Sequence, residues 1–193
     1  MIFRNKSQRV AVLVDVQNLY YTARNVHNSR IHFKNLLELA VAGRVLTRAI
    51  AYAVNTEVNA GEKDFFDAIH NSGFDVKEKE LQIFADGSKK ADWDIGIAMD
   101  AIRLGHKVDS IVLVSGDGDY VPVVSYLQQS LGCLVEVIAF SRSTSHHLKD
   151  VCDDFTAIED YKSKLLFPLT RKKFTPNNNT KNVEPSSPRR PNI

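Results

Sequence analysis

At 193 residues and 44% hydrophobic content, the chain suffices for one α/β domain with a sizeable core and leaves no room for a second of equal size. Its 25 basic and 23 acidic side chains nearly cancel, so only local clusters of charge can support an electrostatic argument. Cys133 and Cys152 lack C-x-x-C spacing for zinc or redox chemistry, and no apolar run has the length of a signal peptide or membrane span, so a cytoplasmic protein is expected.

From Val10 the chain runs apolar to Asp15-Val16, as a strand buried on both faces would, and Leu46 to Val54 reads as a second such strand. Between them Phe33, Leu36, Leu37, Ala40 and Val41 recur at helical spacing, with Gly43 placed where a helix stops. Glu62 to Ser72 repeats the helical signal through Phe65, Phe66 and Ile69, Gly73 breaks it, and Phe74 to Glu78 suits a short strand. Asp94 to Leu104 reads as a helix through Ile95, Ala98, Met99 and Ile102, followed by Gly105 and the strand Ile111 to Val114. Tyr120 to Leu131 is a helix with Pro122 in its first turn, where the missing N–H costs nothing, and Gly132 ends it before strand Leu134 to Phe140. A helix from Ser145 to Cys152 and a strand near Phe155 to Ile158 complete the alternation. Repeated β-α connection with two-sided apolar strands predicts a three-layer α/β/α, Rossmann-like domain around a mainly parallel sheet, over residues 1–168. Residues 169–193 turn basic and rich in Pro, Asn and Ser, with too little apolar surface to offset ordering, so a disordered tail is expected.

In an open parallel sheet, ligands sit beyond the carboxyl ends of the strands, where strand order reverses. Asp15 closes the first strand with Asn18 three residues on, Asp117 and Asp119 follow the strand Ile111 to Val114, and Asp92 and Asp94 open the preceding helix. Right-handed β-α-β winding brings such positions to one edge. Two carboxylates about 4 Å apart repel by roughly 4 kcal/mol near a protein surface, so a gathering of them calls for a cation or a proton. Mg²⁺ or Mn²⁺ accepts oxygen ligands while keeping waters, and can activate a bound water against a phosphodiester. Gly116 and Gly118 flank Asp117 where the backbone must turn sharply, and Ser115 can donate to a phosphate or to a ligating carboxylate. The competing structural reading for each acid is an ordinary helix N-cap; it is weakest for Asp15, which ends a buried strand.

Three strings, LVDVQNLYY from Leu13, KKADWDIGIAMDAI from Lys89 and VSGDGDYVPVV from Val114, together resemble the NYN domain family, in particular its LabA-like (DUF88) branch. The resemblance spans about Val10 to Ile158, in order and with the expected spacing. It implies a PIN-like fold and, for many members, Mg²⁺- or Mn²⁺-dependent ribonuclease activity. By position it makes Asp15, Asp94 and Asp117 the metal-holding aspartates, with Asn18 and Asp119 beside them; Asp92 is shifted by two residues from the family position.

An acidic site meets a polyanion only if nearby cations compensate. Arg24, Lys89, Lys90 and Arg142 qualify by position, and Arg142 stands in Ser141-Arg142-Ser143-Thr144-Ser145, whose Ser143 and Ser145 hydroxyls and following helix N-terminus can receive a backbone phosphate. A solvated loop with a serine cap is the plain alternative. Tyr20 and Tyr21 can stack on a base, although aromatics following a buried strand usually pack in the core. The histidines show no zinc spacing, and no phosphate-binding P-loop, dinucleotide fingerprint or nucleophile elbow is present. The expected activity is hydrolysis of single-stranded or structured RNA by metal-activated water. Its rival is a non-catalytic RNA-binding or regulatory member that keeps the acidic pocket. A Toprim-like site would need a glutamate where Asp15 stands. RNA target, cleavage position, exo- or endonucleolytic action and association of identical chains are not legible in the sequence.

Overall fold

The computed structural model describes residues 4–55, 62–80, 82–83, 89–90 and 92–169, and the tail expected after residue 169 lies outside them. In chain order the elements are β1 Arg9–Asp15, α1 Val16–Asn25, β2 Ser29–Ile31, α2 Phe33–Val41, β3 Val45–Asn55, α3 Glu62–Asn71, β4 Asp75–Glu80, β5 Gln82–Ile83 and β6 Lys89–Lys90. There follow α4 Asp94–Gly105, β7 Ser110–Val114, α5 Val121–Leu131, β8 Leu134–Ala139, α6 His146–Val151, β9 Asp154–Ala157, α7 Lys162–Leu165 and β10 Leu166–Pro168.

Six strands form one sheet in the order β4-β3-β1-β7-β8-β9, with every neighbouring pair parallel. Val10 to Val14 are all fully buried because β1 lies in the middle of the sheet with helices on both faces. Val10, Val12 and Val14 pack with Leu19, Leu36, Phe66 and Ile69 from α1, α2 and α3. Ala11 and Leu13 face the opposite way, toward Ile97, Val124, Leu127 and Leu148 from α4, α5 and α6. Each of the valine, leucine, isoleucine and phenylalanine side chains contributes about 1.5–3 kcal/mol on leaving water, and the alternation fixes the strand's register. The architecture is the α/β/α arrangement the sequence predicts.

The chain winds outward from β1 through β3 to β4, then returns to the centre and winds the other way through β7, β8 and β9. The order therefore reverses between β1 and β7, whose carboxyl ends open a crevice there. The helix terminators differ slightly from expectation: α2 ends on left-handed Ala42 (φ 50°), one residue before Gly43 (φ 74°), whereas α5 ends on Gly132 (φ 63°) as predicted. Three features escaped the sequence reading. Helix α1 follows β1 directly, β2 pairs antiparallel with β10 as a separate ribbon, and β5 pairs with β6.

Candidate metal centre

Asp15 ends β1 and serves as N-cap of α1, its Oδ1 accepting from the Asn18 N–H at 3.1 Å. Its Oδ2 accepts from the Ser115 hydroxyl at 3.3 Å, and that oxygen in turn accepts from the Asp117 N–H at 3.3 Å. The Asn18 side-chain oxygen accepts from the Gly116 N–H at 3.1 Å, so the ends of β1 and β7 are stitched together by side chains. Asp117 caps the short 3₁₀ turn Gly118–Tyr120, its Oδ1 accepting from the Asp119 N–H at 3.0 Å. Asp94 opens α4 and accepts on Oδ1 from the hydroxyl of Tyr120 at 3.1 Å.

This scaffold gathers Asp94, Asp117 and Asp119 so that one carboxylate oxygen from each lies within 4.8 Å of the others. Asp15 sits deeper, only 8% exposed, with a donor on each oxygen. Burial pushes its pKa above the usual 3.8; the Asn18 N–H pulls it down, and the charges of Asp94 and Asp117 add to the rise. Burial likewise raises Asp94; the Tyr120 hydroxyl opposes this, and Asp117, Asp92 and Asp119 reinforce it. Tyr120 is 1% exposed, and burial together with the charges of Asp15 and Asp94 keeps its hydroxyl protonated, a fixed donor among acceptors. The donor set is all oxygen and anionic, with one oxygen each of Asp94 and Asp117 receiving no hydrogen bond among the described residues. Such a set fits a hard divalent cation such as Mg²⁺ or Mn²⁺.

With this geometry in view, the match to the NYN domain, over residues 9–159, covers both strands that frame the crevice and all the acids at its mouth. The chain belongs to the NYN domain family. It is 26% identical over 178 residues to the low amplitude and bright protein LabA of Synechococcus elongatus, covering 84% of this chain and 89% of that protein. A protein of unknown function from Vibrio parahaemolyticus has the same fold, with a TM-score of 0.77 and 36% identity, covering 86% of this chain and all of that one.

Within this NYN domain the remaining predicted residues are placed unequally. Ser115 is 1% exposed and its hydroxyl is occupied by Asp15 and Asp117, so it orients carboxylates instead of facing outward. The segment Ser141–Ser145 packs directly on the acidic loop: Ser145 N–H donates to Gly116 O at 3.0 Å. A Cβ on Gly118 would meet Ser145 Oγ at 2.8 Å, and one on Gly116 would meet Thr144 Oγ1 at 2.9 Å. Arg142 and Ser143 are exposed in that segment. Arg24 stands exposed in the last turn of α1 and lies on Tyr20, donating to its hydroxyl at 2.6 Å. Tyr21 is a correction, 59% exposed instead of packed in the core, because Leu19 and Ala23 take the buried face of α1. The side chains of Lys89 and Lys90 lie outside the described residues. The sequence reading missed Tyr120; an aromatic directly after Asp-Gly-Asp, just before a Pro-led helix, is the signal for it.

Proposed function

We propose that this NYN domain is a metal-dependent ribonuclease whose cation is held by Asp94, Asp117 and Asp119, with Asp15 behind them. The observation that carries this is the meeting of three carboxylates at the β1/β7 reversal point, in a chain of this family. At their spacing mutual repulsion reaches about 4 kcal/mol per pair, and no described cation pairs with any of the three. A divalent cation bound there would neutralise phosphoryl oxygens and lower the pKa of a coordinated water.

The chain's own residues supply the rest. Asp15 holds Ser115, Ser115 fixes the backbone of Asp117, and Asn18 fixes Gly116, so Asp117 is set by two cross-strand contacts. Tyr120 donates to one oxygen of Asp94 and so fixes the orientation of that carboxylate beside Asp117 and Asp119. Ser143, Ser145 and Arg142 stand on the neighbouring turn as phosphate contacts. Compared with the sequence reading, Asp119 joins the close group in the place expected for Asp15.

Purified chain with Mn²⁺ is expected to cleave a labelled RNA oligonucleotide, and EDTA to stop it. Asp117→Asn or Asp94→Asn should lower the rate at least about a hundredfold with an unchanged circular dichroism spectrum. Cleavage that survives either substitution would sink the proposal. RNA binding without cleavage at any metal concentration would favour the regulatory reading.

A further inference from the structure

Helix α4 is apolar on two faces. Inward it buries Ile97, Ala101 and Leu104 against the sheet, as a helix covering a core does. Outward, Ile95, Met99, Ile102 and His106 follow at i, i+4, i+7 and i+11, which lays them along one stripe. Ile95 is 77% exposed, more than any other large hydrophobic side chain among the described residues; Met99 is 62% exposed and Ile102 half-buried. Helix α5, whose Leu127 packs near Gly105 of α4, extends the patch. Its Gln128 turns to α6 and donates to Val151 O at 2.8 Å, which leaves the exposed Tyr126, on the opposite flank, toward α4. Single exposed apolar residues are ordinary, but a continuous stripe with an aromatic beside it marks a contact surface.

The charges at the two ends of α4 select what covers it. Its N-terminus carries Asp92 and Asp94, with Asp117 and Asp119 close to Asp94. Its C-terminus carries Arg103, His106 and Lys107, all exposed, and Lys107 forms no ion pair among the described residues. Arg103 pairs with Asp100 of its own helix, yet its side chain stays 62% exposed. The acidic end repels nucleic acid and anionic lipid alike, and Ile95, Met99 and Ile102 offer a base no stacking plane. A second α4 laid antiparallel suits every part of this surface. Apolar stripe meets apolar stripe, each acidic end meets a basic end, and the helix dipoles oppose. With a net charge of +2 over 193 residues, two copies repel one another little.

We propose that the chain forms a homodimer about a two-fold axis between Ala98 and Met99, with the α4 helices of the two copies packed antiparallel. Ile95 of one copy then lies opposite Ile102 of the other, and Tyr126 closes the rim. Helix axes about 8–10 Å apart let such side chains interdigitate. Asp94 and Arg103 are separated by about 13 Å of helix, so the same pairing brings the second copy's Arg103 level with the acidic N-terminus. Each candidate centre therefore has the basic end of the other copy's α4 beside it. This inference does not depend on the ribonuclease reading.

The test is sedimentation velocity of the full-length chain, which should show a reversible dimer with a dissociation constant of roughly 1–50 μM. Ile95→Gln with Met99→Gln keeps the net charge and should raise that constant at least about thirtyfold, with an unchanged circular dichroism spectrum. Cross-linking with a short bismaleimide reads the orientation. Met99→Cys, near the axis, should give a covalent dimer, whereas His106→Cys, about 22 Å from its counterpart, should not. Lys34→Cys, exposed on α2 across the sheet, and the unaltered chain with Cys133 and Cys152 are the controls. A chain still monomeric at about 100 μM overturns the proposal. So does a dimer that the double glutamine variant leaves intact, or one that links through His106→Cys. In a monomeric chain, the reactivity of Met99→Cys toward a monofunctional maleimide separates a stripe covered by the chain's own residues from one kept for a different protein; either result removes the dimer.

Discussion

Tyr120 donates to Asp94 from within the core and so fixes the orientation of a carboxylate that lies beside Asp117 and Asp119. Removing the hydroxyl while keeping the ring, Tyr120→Phe, should lower Mn²⁺ affinity about tenfold, as the loss of a ligand-orienting contact does. Titration followed by the Mn²⁺ electron paramagnetic resonance signal would show it, and an unchanged affinity would reduce Tyr120 to a packing residue. The raised carboxylates set a pH dependence. Asp15 and Asp94 sit above their ordinary value of 3.8, so the folded, metal-free chain takes up protons more readily than the unfolded chain. Their sign is that of a strain relieved by acid: stability in EDTA should rise as pH falls through their raised values toward 3.8, while Mn²⁺ affinity falls over the same window as protons compete for the oxygens. Melting temperatures with and without Mn²⁺ should therefore move in opposite directions.

Between strand β7 and helix α5 the chain has to turn within Ser115–Asp119 while another loop presses on it. Gly116 and Gly118 are required there by contact, since a Cβ at Gly116 would meet Thr144 Cα at 3.1 Å and Ser143 O at 3.2 Å, both backbone atoms that cannot swing aside. Gly116→Ala should displace the Ser143–Ser145 segment, weaken Mn²⁺ binding and cost about 1–3 kcal/mol of stability by urea denaturation. Gly105 offers a comparison away from the site: its added methyl would meet Leu127 Cδ2 at 2.6 Å, the end of a side chain that can shift, so Gly105→Ala should cost less stability than Gly116→Ala and leave metal affinity alone. The elements missed in the sequence share a cause. Helix α1 buries only Val16, Leu19 and Ala23, and two tyrosines dilute that stripe. Strands β2 and β10 are three residues each and are paired across more than a hundred residues of chain, so neither has a local pattern to read.

The sheet as a whole has a polar seam at each edge. At the carboxyl edge lie the acids of the candidate centre. Toward the other edge Arg44 and Glu136 form a buried pair, with Ser110 donating to Glu136 at 2.7 Å and Arg4 reaching it from outside. Burial alone would raise Glu136, but the hydrogen bonds of Arg44 and Ser110 and the charges of Arg44 and Arg4 hold it below its usual 4.5. Its contribution is complete above 4.5 and is lost as pH falls through the depressed value. Glu136→Gln leaves Arg44 buried without its counter-charge, and should cost about 3–5 kcal/mol at neutral pH and flatten the acid limb below 4.5. Chemical denaturation at pH 7 and pH 3.5 would separate the two effects; equal stability at pH 7 would mean that Arg44 finds water.

The alternation of apolar strands with glycine-ended helices determined the layered parallel fold, because burial on two faces requires runs that local sequence cannot hide. The order of acids along the chain also placed Asp15, Asp94 and Asp117 at strand ends and helix starts, and helix winding then put them on one edge. Tertiary structure alone decided which oxygens face one another, since a few ångströms separate an acid in the close group, Asp119, from one buried behind it, Asp15, and spacing along a chain does not resolve such distances. It alone also assigned the cations. Arg24 and Arg142 look equivalent in sequence, but the first lies on Tyr20 of its own helix while the second is exposed in a turn packed on the acidic loop.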